Sequence, residues 1–281
     1  MKQYFLICLI LVYQVVLSAQ DSEIKVKNST EVFGTTFTWY AENEESDKKI
    51  SELIEKVKAE TPAYDPDCYY SKKSPCAVKP TEATQELDKL SAEYKKETAG
   101  AFDVTAKVEK LSQRDYGGVA QGFVIDKMKQ NLKGNYLIDF ANDFYLSADF
   151  KGSPQLAVGL PDLDNVLYAK VIMKSGWMLG SSASPKMRVP EAYAKNKKNK
   201  DFKKIVLFAK PDFSGARLDA WSTALIVGGK KLLNQLERIN AYKDQWAYVY
   251  FDNKNQATCS RSLKCKLGDE LKDNYIKVEW K

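Results

Sequence analysis

Between positions 115 and 122 the chain reads Asp-Tyr-Gly-Gly-Val-Ala-Gln-Gly, and the apolar-periodic run Phe123 to Leu132 follows at once. Adjacent glycines open backbone conformations closed to other residues, and a helix that starts directly after them aims its unpaired N–H groups back into the turn. The segment therefore constrains the fold to place a tight turn and a helix N-terminus at one spot, an arrangement suited to a phosphate or a metal. A second stretch, Leu218-Asp219-Ala220-Trp221-Ser222-Thr223-Ala224-Leu225, puts a carboxylate and a hydroxyl four positions apart. With Leu225, Ile226 and Val227 behind them a helix is indicated, on one face of which Asp219 and Thr223 can share a hard cation such as Mg²⁺. Plainer readings stand beside this one: an Asp and a Thr at that spacing also cap or solvate a helix, and Gly-Gly also makes an ordinary turn.

Around these two stretches the periodicity changes irregularly. Glu31 to Ala41 alternates, is rich in aromatics and reads as a strand. Ser46-Asp47 can cap a helix carrying Ile50, Leu53, Ile54 and Val57 at helical spacing, and a Pro-rich stretch from Pro62 to Pro80 separates it from a second helix, Thr81 to Glu97, with Leu87, Leu90 and Tyr94 on one side. A turn at Gly100 to Asp103 comes next. Strands are expected at Tyr136 to Phe140, Gln155 to Val158, Val166 to Met173, Ile205 to Ala209, Trp246 to Phe251 and Tyr275 to Trp280. No internal repeat is visible. The class is α+β, a mixed sheet with packed helices, forming one large domain or two interleaved subdomains. At 281 residues, 44% of them hydrophobic and 12% aromatic, the chain can bury a substantial core.

The N-terminus has the pattern of a secretory signal over residues 1–19: Lys2, an apolar run from Tyr4 to Leu17 broken by Gln14, then Ser18-Ala19 as the cleavage site before Gln20. The expectation is an exported, periplasmic chain with no stable membrane span after cleavage; an uncleaved anchor is the alternative. Cleavage removes Cys8 and leaves Cys68, Cys76, Cys259 and Cys265, two close pairs that in an oxidising compartment suggest bridges Cys68–Cys76 and Cys259–Cys265. Zinc is the competing use of those cysteines, but neither CxxC spacing nor any histidine accompanies them. The formal charge of +6 is modest for this length, and its densest concentration, Lys186 to Lys204, is either a solvated loop or a cover over an anionic ligand. Basic residues do not interleave with aromatics as in single-strand binders, so nucleic acid is not expected as a partner.

The landmarks Phe33-Gly34-Thr35-Thr36, Thr98-Ala99-Gly100-Ala101-Phe102-Asp103, the glycine turn ending at Gly122 with Asp126 beyond it, Ala141-Asn142-Asp143, and Asp219 to Ala224 fall in a fixed order. In that order they resemble the ApbE family of FAD:protein FMN transferases, whose members carry Gly-Thr, Gly-Ala-Phe-Asp, Asp-x-Gly-Gly-x-Ala-Lys-Gly, Gly-Gly-Asp and Ala-Asp-Ala-x-Ser-Thr-Ala. The resemblance is strongest over residues 30–230, within a single domain of 20–281 whose last part, 239–281, is a C-terminal extension. It implies a Mg²⁺ ion held by Asp219, Thr223 and the carbonyl of Gly118, with Asp219 as the catalytic carboxylate. It also implies a flavin nucleotide against Gly117, Gly118, Gln121, Asp143 and Ser182, and transfer of FMN from FAD to Thr or Ser of an acceptor protein. This chain departs from the pattern at Gln121, where relatives have Lys, at Ala141-Asn142, where they have Gly-Gly, and between Ser184 and Ile205, where their His-Ile-Ile-Asp-Pro-x-Thr-Gly segment is replaced by the Lys-rich run. The second functional expectation is therefore a catalytically degenerate flavin-nucleotide-binding or partner-binding protein of the same fold. Tyr40, Tyr64 and Trp177 are candidates to stack on a flavin or adenine ring, each equally suited to a core. Self-flavinylation at Gly180 to Ser184 is a weaker idea without the acidic acceptor context.

Overall fold

The computed structural model describes residues 25–33, 35–60, 81–105, 116–141, 143–151, 155–159, 167–183, 201–254, 256–267 and 276–280, with backbone alone for 155–159, 167–172, 183, 265–267 and 276–280. The expected signal segment, Cys8, Cys68, Cys76, the Pro-rich stretch with Tyr64, Gly34, Asp115, Asn142, and the run from Ser184 through Lys200 lie outside the described residues. The elements in chain order are β1 (Val26–Val32), β2 (Thr35–Ala41), α1 (Glu44–Glu60), α2 (Glu82–Glu97), α3 (Ala120–Asn131), β3 (Tyr136–Phe140), β4 (Asp143–Leu146), β5 (Gln155–Gly159), β6 (Leu167–Ile172), β7 (Met178–Ala183), β8 (Lys204–Ala209), α4 (Gly215–Leu236), β9 (Trp246–Phe251), β10 (Ala257–Cys259), β11 (Leu263–Leu267) and β12 (Ile276–Trp280).

Eight strands make one sheet in the order β1-β2-β3-β4-β7-β8-β9-β10, and every pairing in it is antiparallel. A second sheet, β11-β12-β6-β5, contains one parallel pair, β12 with β6. The class is α+β, as the sequence indicates. Three strand expectations change. The run from Glu31 to Ala41 is split between the two arms of a hairpin, with Val32 opposite Thr35 and Phe33 at φ 55° in the turn, since a left-handed residue reverses the chain instead of extending it. Trp246–Phe251, expected within a C-terminal extension, is an interior strand of the large sheet between β8 and β10, as suits an apolar run buried along most of its length. Ile276–Trp280 belongs to the second sheet, where its parallel neighbour lies about a hundred residues earlier in the chain.

Alternation along the strands gives the large sheet two apolar faces. On one, Phe37, Ile138, Phe140, Ile205 and Leu207 pack with Phe123, Val124, Trp221 and Leu225 of α3 and α4. On the other, Leu137, Phe144, Val206, Phe208 and Val249 pack with Phe150, Met173, Trp177 and Leu263. α4 is the centre of the helical layer. Trp221, fully buried, meets Phe213, Tyr242 and Trp246 edge-to-face at centroid distances of 5.5, 5.6 and 5.1 Å. The helix begins at the capping hydroxyl of Ser214 and loses its helical backbone at Gly229 (φ 64°, ψ −157°), a conformation that suits glycine.

Candidate functional site

α3 and α4 cross beside their N-termini, and glycine makes the crossing possible. A Cβ on Gly122 would stand 2.1 Å from the carbonyl oxygen of Gly215, and one on Gly215 would stand 2.6 Å from that of Gly122. Any larger residue at either position would force the helices apart. The contact brings the two informative stretches of the sequence together.

At the start of α3, Val119 supplies no side-chain cap. The first N–H groups find other partners: those of Val119 and Ala120 donate to the Tyr116 carbonyl at 3.0 and 2.9 Å. That of Gly122 donates to Asp219 Oδ2 at 3.2 Å, and that of Gln121 also donates to the Asp219 carboxylate. The anion at this helix N-terminus in the structure is the protein's own Asp219. One turn further along α4, Thr223 lies against the glycine turn: a Cβ on Gly118 would be 2.6 Å from Thr223 Oγ1. Gly118 is glycine because Thr223 fills the space a side chain would need. Asp219, Thr223 and Gly118 therefore converge, while Gly117 is exposed at the tip of the turn and Gln121 is partly exposed on the first turn of α3.

The large sheet closes the other side. Asp143 opens β4, is buried, and accepts the Ser181 N–H at 3.0 Å. Gly180 leaves room beside it, since a Cβ there would sit 3.6 Å from Asp143 Oδ1 and 3.3 Å from Leu218 Cγ. Ser182 lies 2.9 Å, oxygen to oxygen, from the Ser222 hydroxyl, which donates to the Asp219 carbonyl at 2.9 Å and so ties β7 to α4. The turn between β3 and β4 holds Ala141 at φ 52°, a backbone in which glycine would be unstrained.

Burial dominates the electrostatics. It pushes Asp219 up to about 7, against the N–H groups of Gly122 and Gln121, which favour the ionised form. Asp143 is pushed well above the carboxylate range, first by burial and then by repulsion from Asp219, with the Ser181 N–H and the Lys204 ammonium opposing. Lys204, buried in β8, is pushed down to about 7 by desolvation while Asp143 pulls it back up. Burial, and for Asp143 the neighbouring Asp219, thus favours the protonated carboxyls, and a cation bound here would displace those protons. Among the described residues no three His, Cys, Asp or Glu side chains gather as a metal cage. A cation here would draw on the Asp219 carboxylate, the Thr223 hydroxyl and the Gly118 carbonyl, a hard-oxygen set that fits Mg²⁺ with ligand oxygens or water completing its shell.

Several sequence candidates sit elsewhere. Tyr40 and Trp177 are buried in the apolar cluster on the sheet face away from the helices, where Lys27 and Lys174 lie over their rings, so they are core and do not stack on a ligand at this site. In the Thr98 to Asp103 turn, Phe102 is fully buried, its N–H donates to Thr98 Oγ1 at 3.1 Å, and Asp103 pairs with Lys95 at 2.7 Å. Sequence reading missed Ser222, Ser181, Lys204 and the Gly122–Gly215 contact. Ser222 stood inside a motif already singled out, Ser181 within Gly180 to Ser184 and Lys204 at the end of the basic run, but nothing local said what they would face.

No protein-family profile and no curated protein matches the chain. Among solved structures it is similar to the ApbE protein of Thermotoga maritima, with TM-score 0.63 and 15% identity over 84% of this chain and 97% of that one. It is similar to the flavin transferase ApbE of Vibrio cholerae, with TM-score 0.59 and 15% identity over 84% and 97% of the two chains. The apo form of the Pseudomonas stutzeri flavinyl transferase ApbE gives TM-score 0.59 and 16% identity over 87% and 97%. At these identities the likeness establishes the fold.

Proposed function

From the ApbE fold as premise, we propose that this chain binds FAD with Mg²⁺ and transfers FMN from it to a Thr or Ser hydroxyl of a partner protein. The observation that carries the reading is the convergence of Asp219, Thr223 and Gly118 beside a second buried carboxyl, Asp143, close enough to Asp219 for the two to repel each other when ionised. Bound there, Mg²⁺ would draw charge from the phosphoanhydride and orient it. The chain's own residues do the rest. The α3 N–H groups fix the Asp219 carboxylate; Gly118, lacking a side chain, lets the turn close on Thr223; Gly180 and Ser181 hold Asp143 at the sheet end. In transfer, the acceptor oxygen bonds the FMN phosphorus, the anhydride bond to AMP breaks, and the hydroxyl proton is released to water.

A second reading has its own support. Gln121 supplies no charge where relatives place Lys, and Ala141 keeps the left-handed turn while adding a methyl group to it. Both changes weaken the grip on a dinucleotide, so a flavin-nucleotide binder with slow or no transfer is the alternative. Mixing the purified chain with FAD, Mg²⁺ and an acceptor peptide separates the two: bound flavin with released AMP and labelled peptide supports transfer, and bound flavin without AMP supports the binder. Indifference to FAD at high concentration refutes both.

Export, cleavage near Gln20 and two local disulfides belong to the same proposal. For the second bridge, Cys259 ends β10 just before the β11 strand that carries Cys265. Among the described residues no helix is long and apolar enough to cross a membrane. Intact mass with and without reduction reads the bridges, and four thiols alkylated before reduction would sink them.

A further inference from the structure

The α3–α4 crossing has a symmetry that the metal reading does not use. Gly122 and Asp126 lie four apart on α3; Gly215 and Asp219 lie four apart on α4. Asp219 accepts the Gly122 N–H at 3.2 Å. In return, Asp126 accepts the Gly215 N–H at 2.7 Å, the Ala216 N–H at 3.0 Å and the Ser214 hydroxyl at 2.8 Å. Each helix thus ends in N–H groups capped by a carboxylate of the other, one turn beyond the glycine where they touch. Lys129 strengthens the second half, with Nζ 3.6 Å from Asp126 Oδ1 and donating to the Phe213 carbonyl at 2.8 Å.

We propose that this reciprocal clasp sets the cation site, and that Asp126 is its positioning residue: by locking the start of α4 onto α3 it fixes where Asp219 and Thr223 stand relative to Gly118. Asp126 does not reach the cation. Its three donors fix the N-terminus of α4, and one turn on, the same helix presents Asp219 to α3 and then Thr223 to the glycine turn. A helix start freed from Asp126 can slide or rotate against Gly122, and both donors move with it. The inference rests on the reading of Asp219 and Thr223 as cation ligands, but its mechanical half does not.

Two measurements on the full chain test it. Amide hydrogen exchange is followed at Gln121 and Gly122 without metal, and Mn²⁺ binding is titrated directly. In Asp126→Ala, Gln121 and Gly122 are expected to exchange about tenfold faster although Asp126 does not accept their hydrogens, and Mn²⁺ to bind about tenfold more weakly. Asp126→Asn keeps one acceptor oxygen and the side-chain volume, so it is read if the alanine chain does not fold; about threefold in both measurements is expected. Thr81→Ala removes the α2 cap, which accepts from Thr84 at 3.2 Å, and should lower Tm without moving either readout. Exchange and Mn²⁺ affinity both within about twofold of wild type in Asp126→Ala and Asp126→Asn, with Tm alone reduced, overturn the proposal. A wild-type chain that takes up no Mn²⁺ defeats the functional reading; faster exchange in the variants then still supports the clasp, and unchanged exchange overturns it.

Discussion

α4 carries two charged faces that differ in one respect. Arg217 and Trp221, one turn apart, face α2: the guanidinium pairs with Glu93 and Glu97, lies 5.2 and 4.4 Å from the ring centroids of Tyr94 and Tyr242, and shares Glu97 with the Trp221 indole N–H at 2.9 Å. Asp219 and Thr223, also one turn apart, face the glycine turn and β4, where Asp143 adds a second buried carboxylate. On the first face every charge meets its opposite within the protein. On the second, burial raises both carboxyls and lowers Lys204, so charge is suppressed instead of paired. Burying a charge is costly unless it is paired, so these carboxyls keep their protons until a cation such as the proposed Mg²⁺ replaces them. The balanced face holds the fold, and the suppressed one is where the proposed cation would act.

The largest effect that can break this division is on the balanced face. Trp221→Ala removes the buried hub of four aromatic rings and is expected to cost about 3–5 kcal/mol of stability by denaturant unfolding. Retention of wild-type stability would show that the α2 face does not hold the helix. Asp219→Asn should do the opposite. It replaces a buried carboxylate with a neutral amide whose oxygen can still accept from Gly122, so the fold is expected to keep its stability within about 1 kcal/mol while divalent-cation affinity falls about a hundredfold. A cation titration unchanged in this variant would remove Asp219 from the site.

pH separates the faces next. Asp219 and Asp143 have raised folded-state values, so the stability they contribute is fully present below the ordinary Asp value of 3.8 and is lost as pH rises, for Asp219 through about 7. Lys204 acts in the opposite sense: its value is lowered to about 7, so its contribution is full above the usual lysine range and is lost as pH falls through about 7. Bound Mg²⁺ offsets the cost of ionised carboxylates, so the rise in Tm on adding it should be larger at about pH 8 than at about pH 5. Equal rises at both would place the cation elsewhere. The smallest expected effect is a gain: Gln121→Lys, on the partly exposed first turn of α3, should tighten FAD binding by up to about tenfold through added charge near the phosphates. Unchanged FAD affinity would mean that Gln121 does not face the nucleotide.

Much of this site was legible because it is local. The spacing of Asp219 and Thr223, the glycines at 117, 118 and 122, and the apolar stripes of α1 and α2 each record in a short window which side of an element is buried. The hairpin at Phe33 and the strand Met178–Ala183 were not legible. The first has an aromatic residue at a left-handed position, and the second lacks the alternation that marks a half-buried strand because Gly180 and two serines face other elements.

The sequence by itself determined the class, the helices, the hard-oxygen pair and the turn that meets it, since these follow from periodicity and residue chemistry. Only the tertiary structure decided what each group faces. It gave the first N–H groups of α3 to Asp219 across 97 positions of chain and those of α4 to Asp126 across 89, placed Lys204 in the core, and put β12 beside β6. The physical reason is that a helix end must satisfy its N–H groups with whatever acceptor packing brings near, and a buried carboxylate takes its proton affinity from every neighbour that packing sets around it. Neither is written in the residues next to it.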